Sequence, residues 1–329
     1  MTREQSTYAE IQPAPARRLR LPTGRREGVA STRISPTWTR EERDCYQFLL
    51  ATPYMWTDHV IYADDVVEVT KKKFSSLKPH EAVDAEVIDV WASYLNGMEV
   101  HKPTQKPNRL TVTTAGTTYN VVERRASWEK SEAELTFCVE IDGQFNGAGT
   151  FDITHYDLIF FPIYSKRNYY LGCFSLKTGV VDVLDQRDCL GFFYLKSKGF
   201  DKLSEIIIKE CSMRLLELPW KTTQATNDSG VFLMRHMETY LGNPAILMTM
   251  GLQGVSVRLL QILRGRYCKD MLLAPFNDCR EIFSSYISHY INVTPNFRTD
   301  YARQVNGMLN MAPRNEQPNK PARKKSKIT

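Results

Sequence analysis

Apolar positions along the chain fall into stretches of two periods. Residues 81–95 place Ala82, Val83, Val87, Ile88, Val90, Trp91 and Leu95 at spacings near three and four, which predicts a helix with one buried face. Residues 41–50, 230–241, 245–263 and 278–291 read the same way, and so do residues 200–217, where Leu203, Ile206, Ile207, Cys211, Leu215 and Leu216 share a side. Three short aromatic and β-branched runs, 157–163, 169–175 and 180–185, predict strands. SKRN separates the first pair and LKTG the second, both of turn composition and length, so the three runs form an antiparallel meander. Residues 134–141 (ELTFCVEI) suggest a further strand, and the Thr-rich stretch 102–126 a loop with at most a short strand. Helices flanking a short antiparallel sheet predict an α+β domain over residues 37–312.

Residues 1–36 and 313–329 are rich in Pro, Arg, Ser, Thr and Lys without apolar periodicity, and are expected to be disordered basic tails. They change the reading of the charge. The chain carries a formal +6, yet the first tail holds seven Arg against three acids and the last six Lys/Arg against one Glu. The region between them is mildly acidic, the reverse of a basic nucleic-acid-binding core. The cluster Arg323, Lys324, Lys325, Lys327 has the composition of a nuclear import signal or of a solubilising tail, giving an expectation of a nuclear or cytoplasmic protein.

No apolar run is long enough to span a membrane, because Arg258, Arg264 and Arg266 interrupt the longest, 245–274. The first residues lack the apolar core of a secretory signal. Seven cysteines without C-x-x-C spacing suggest free thiols, and neither a metal nor a cofactor is expected.

Three polar positions stand out against this framework. Asn168 opens the middle strand, Asp185 ends the next, and Ser229 enters a helix from a turn in which Asn227 or Asp228 is placed to cap. A turn centred on LKTG sets Asn168 opposite Arg187, within two pairs of Asp185. A residue at a helix N-terminus has free backbone N–H groups and the positive end of the dipole beside it, a setting that favours a thiolate or an oxyanion.

At these residues the sequence resembles the ubiquitin-like-protein (SUMO-type) cysteine protease family, most closely its plant, transposon-associated branch. The segments DLIFFPIYSKRNYYLGCFSLKTGVVDVLDQ and WKTTQATNDSGVFLMRHMETY carry the likeness, with FSSLKPHEAVDAEVIDVWASYLN upstream, and it spans about residues 40–295. The resemblance implies a papain-like fold that cleaves after the Gly-Gly of SUMO or a related modifier, and makes that modifier and its conjugates the expected partners. It puts the family's catalytic His at Asn168, its Asp at Asp185 and its Cys at Ser229, within Asp228-Ser229-Gly230. Gln224 is the possible oxyanion donor, with Lys221 as the alternative. Trp220 would wall the tunnel for the Gly-Gly tail or belong to the core.

Two substitutions change the chemistry. An Asn amide accepts no proton, and a Ser hydroxyl is a poor nucleophile without a base. The chain is therefore expected to be a cysteine-type peptidase by family that is inactive or impaired. The alternative is a non-catalytic modifier-binding or scaffold protein derived from a mobile element. His236 lies two helical turns beyond Ser229, roughly 10 Å along the axis, and is too far to substitute as base, which leaves His155 as the other candidate.

Overall fold

The computed structural model describes residues 34–35, 37–51, 57–99, 101–102, 106–114, 155–165, 168–184, 212–216, 218, 227–245 and 257–293. Among them are six α-helices: α1 (Arg40–Ala51), α2 (Lys71–Phe74), α3 (Ala85–Glu99), α4 (Ser229–Thr239), α5 (Val257–Leu272) and α6 (Arg280–Val293). The strands are β1 (Val60–Ala63), β2 (Glu68–Thr70), β3 (Arg109–Thr111), β4 (Leu158–Ser165), β5 (Asn168–Ser175), β6 (Val180–Leu184) and β7 (Ser212–Leu216). The expected strand at 134–141, residues 200–211 and nearly all of both tails lie outside the described residues.

β4, β5 and β6 form the expected antiparallel meander. Ser175 pairs with Val180 and Leu171 with Leu184, the register that the LKTG turn predicts. Gly179 closes that turn at φ 61°, a left-handed conformation that costs glycine nothing. The edges of the five-stranded sheet, ordered β3-β4-β5-β6-β7, were not foreseen as parallel. β3 runs parallel to β4, and β7 parallel to β6. Pro162 sits inside β4 without breaking it. Phe160 gives its carbonyl to the Val112 N–H, so the nitrogen of Pro162, two residues on, faces the same side, where β3 has already ended at the level of Phe160.

Residues 212–216 correct the expected helix over 200–217. They form β7, with Leu215 exposed rather than buried. A long-range ion pair explains the strand: Asp182 of β6 pairs in register with Arg214, whose Nε and Nη2 donate to Oδ1 at 2.7 Å and Oδ2 at 2.8 Å. Tyr240 O–H donates to the same Oδ2, so the carboxylate, 1% exposed, has charged and neutral donors on both sides.

The core lies between the sheet and α1, α3, α4, α5 and α6. Trp91 of α3 fills its centre, stacked on Tyr94 and tilted against Tyr267, with its indole N–H donating to Met234 O at 3.0 Å across to α4. α3 starts at Ala85, later than the periodicity suggested. Asp84 caps it, accepting the Glu86 N–H on Oδ1 at 3.1 Å, and Val83 enters the core from the preceding loop. α5 runs to Leu272, well past the expected end at 263, because Arg264 and Arg266 are buried in the fold with partners rather than ending the helix. The β1–β2 hairpin was missed, being only four and three residues long.

Candidate functional site

Ser229 is the first residue of α4, and all eleven residues of that helix are buried. The Asp228 carbonyl accepts the Val231 and Phe232 N–H groups at 2.9 and 3.1 Å, which closes the first turn. The N–H groups of Ser229 and Gly230 donate to no acceptor among the described residues. Such groups at a helix N-terminus are positioned to stabilise developing negative charge.

The expected side-chain cap is absent. Asp228 makes no capping bond, because its Oδ1 accepts Arg264 Nη2 at 2.7 Å. Asn227 is also engaged elsewhere, its Nδ2 donating to His80 O at 2.6 Å. Arg264 comes from the middle of α5 and is fully buried. Its guanidinium also donates to the carbonyls of Ser76, Lys78, Glu81 and Asn227, at 3.2, 2.9, 2.8 and 3.2 Å. One side chain therefore ties the 76–81 loop to the turn that delivers Ser229. His80 lets that loop bend, at φ 64°. Nothing in the local sequence marked Arg264 or His80; an arginine inside an apolar helical run was the one available signal.

Asn168 opens β5, paired with Ser165 across the tight β4–β5 turn. Tyr169 and Tyr170 follow it into the sheet, both buried, and Tyr169 packs its ring 4.7 Å from that of Tyr164. Burial first, then Tyr164, Asp84 and Asp89, pushes the Tyr169 phenol well above its usual range.

Ser229 and Asn168 each begin one of two elements, α4 and β5, that pack on each other. Tyr240, just past the end of α4, rests against Phe160 at 6.4 Å between ring centroids, and Phe160 pairs with Cys173 in the sheet. From Tyr240 back to Ser229 is about 16 Å of helix. From Cys173 back to Asn168 is also about 16 Å of strand. α4 packs on β5, and its far end is fixed by Arg109 Nη1, which reaches the Glu238 carbonyl at 3.1 Å from the residue that pairs with Leu158.

Asp185 follows Leu184, the last described residue of β6; Asp185, Gln224, Lys221 and Trp220 lie outside the described residues. His236 is fully buried, two turns along α4 from Ser229. His155 precedes β4 at the end of the sheet opposite Asn168, about 23 Å away along the strand, which removes it as a substitute base. Among the described residues, no group of three or more His, Cys, Asp or Glu side chains gathers as a metal site requires.

No protein-family model matches the sequence, and no curated protein does. Solved structures are similar in fold. The catalytic domain of a Chaetomium thermophilum Ulp1-like SUMO protease superposes with a TM-score of 0.50 at 17% identity, over 73% of this chain and 92% of that one. The SUMO protease Ulp1 with its catalytic cysteine oxidised to a sulfenic acid gives 0.49 at 13% identity, over 73% and 97% of the two chains. The C-terminal Ulp1 protease domain in complex with Smt3, the yeast ortholog of SUMO, gives 0.46 at 16%, over 70% and 96%. With helices packed around a small sheet in the same arrangement as in the Chaetomium domain, the chain has the papain-like fold of Ulp1-type proteases.

Proposed function

We propose that this chain is a relative of the SUMO-type proteases that holds a ubiquitin-like modifier and has lost efficient peptide cleavage. The observations that support the reading are Ser229 at the start of a buried helix and Asn168 at the start of the strand that this helix packs against, on a papain-like fold. That is where such a fold needs its nucleophile and base. Asp185 would have only the Asn168 amide to orient, and Gln224 would donate to the oxyanion.

The residues present support recognition better than turnover. Ser229 has free backbone N–H groups beside it but no base at position 168 to take its proton. Members of a triad act as a unit, so the loss of the base alone costs several orders of magnitude in rate. Binding of a modifier needs no proton transfer and is unaffected by either substitution. The basic cluster at 323–327 would direct the protein to the nucleus; deleting residues 320–329 from a fluorescent fusion should then shift it to the cytoplasm.

The test compares wild type, Ser229→Cys, Asn168→His and the double variant. The readouts are release of a C-terminal fluorophore from SUMO and other ubiquitin-like modifiers, and modifier binding by calorimetry. Binding by all four, with turnover by the double variant alone, is the expected result. Wild-type turnover that Ser229→Ala abolishes would show a working serine site. Absence of both binding and turnover in all four would remove the modifier from the proposal and favour a scaffold.

A further inference from the structure

α4 has a second end, about 16 Å from Ser229, and a pocket opens there that plays no part in the chemistry above. It is a small pocket, partly open to solvent, between the last turn of α3, His101, Lys102, Lys106, Arg109 and the end of α4. Tyr94, Leu95, Met98 and Leu241 line its apolar side, and Lys102, Lys106 and Arg109 its charged side.

Most of this charge is already used. Glu99 accepts Lys102 Nζ on Oε1 at 2.8 Å and Arg109 Nη2 on Oε2 at 3.2 Å. Lys102 also donates to Pro107 O at 2.6 Å, and Arg109 Nη1 to the carbonyls at the end of α4. Those contacts close the fold and call for no ligand. The second carboxylate of the pocket, Glu238, is taken by Arg235 Nη1 at 2.6 Å and by Arg266.

Lys106 is different. It makes no hydrogen bond or ion pair among the described residues, although it is partly buried beside Arg109. Burial and the Arg109 guanidinium both push its ammonium below the usual lysine range. Arg109, with five N–H groups, retains one on Nη2 beyond its contacts. Three cations thus face a single available carboxylate, next to an apolar wall. Ligand pockets combine these features: an apolar lining and a few converging polar groups that fix orientation.

We propose that this pocket binds a small oxyanion, a phosphate or carboxylate carried on a compact apolar body, with Lys106 and the remaining Arg109 N–H as its donors. An anion there relieves the repulsion between the two cations and supplies the missing partner of the ammonium. The assignment is independent of any chemistry at Ser229.

The experiment uses the full chain, isotopically labelled, with backbone amide spectra recorded during titration. Phenyl phosphate and benzoate are the two probes, and sodium chloride at matched ionic strength is the control. Saturable shifts confined to residues 94–102, 106–109 and 238–241 are expected, with the tighter probe identifying the oxyanion class. Lys106→Ala, which removes a side chain without partners, should weaken binding at least tenfold while leaving the remaining spectrum in place. Equal shifts with chloride, shifts unaffected by Lys106→Ala, or no saturable shifts would each overturn the proposal.

Discussion

Gly230 and Val83 are in direct apposition: a Cβ at position 230 would stand 2.7 Å from the Val83 Cβ. The residue after Ser229 must therefore be glycine for the 81–84 loop to lie against the start of α4. Gly230→Ala should cost about 1–3 kcal/mol by overpacking. Val83→Ala should cost about 2 kcal/mol as a cavity. The double variant should lose somewhat less than the sum of the two, because Val83→Ala removes the Cγ2 that would stand 3.0 Å from the new Cβ and gives the remaining Val83 Cβ room to shift. Urea denaturation of the four proteins measures the coupling, and strictly additive losses would contradict the close contact.

Arg264 should be among the most sensitive positions in the fold. Arg264→Leu removes the partner of Asp228 and the donor to four carbonyls, and should destabilise the protein by about 3–5 kcal/mol. Arg264→Lys should recover only part of that, since an ammonium cannot reproduce the planar fork. Equal stability of the Lys variant and wild type in urea would show that charge, not geometry, holds the turn before Ser229.

Arg214 illustrates how a half-exposed residue can matter. It covers Asp182, a carboxylate 1% exposed. Among the described residues, Arg214→Ala leaves that charge with only the Tyr240 hydroxyl as a side-chain donor, and it should cost about 3 kcal/mol. Asp182→Asn in the same background should return part of the loss. Thermal unfolding of the single and double variants tests this, and a neutral Arg214→Ala would sink it.

Asp89 on α3 sets a pH dependence. Burial raises its carboxyl from 3.8 to about 6, against the opposing pull of hydrogen bonds from the Thr114 N–H and hydroxyl. The folded protein therefore holds a proton that the unfolded chain has released between about pH 4 and pH 6. Across that window this group makes stability fall as pH rises, with no further change above it. The advantage of Asp89→Asn over wild type should grow by about 2 kcal/mol between pH 4.5 and pH 7. Urea midpoints at the two pH values give the answer, and a constant difference would contradict the raised carboxyl.

Local pattern alone determined much of this fold. The three runs of the meander, with the LKTG turn, set its register down to Leu171 opposite Leu184. Alternation of period two and a turn of fixed length put Leu171, Cys173 and Leu184 on the face toward the helices and Tyr170, Val181 and Val183 on the other, and both faces are buried. The helical period placed α1, α3, α4 and α6 within a few residues of their ends, and the turn before Ser229 marked where α4 starts. The resemblance to a protease family carried by those segments anticipated the papain-like fold.

The tertiary structure decided what depends on polar groups that find partners far along the chain. Residues 212–216 have apolar residues compatible with a helix, yet they form a strand because Arg214 meets a buried Asp182 thirty-two residues earlier. Arg264 and Arg266 look like interruptions of an apolar run, yet α5 continues through them because Asp228, Glu238 and the 76–81 loop receive their charge. Asn227 and Asp228 look like caps, yet their side chains are drawn to His80 and Arg264. Hydrophobic period reports which face is buried, because burial of apolar surface depends on each residue's own character. The free energy of a buried charge depends on its partner, and a partner close in space but distant in sequence leaves no local trace.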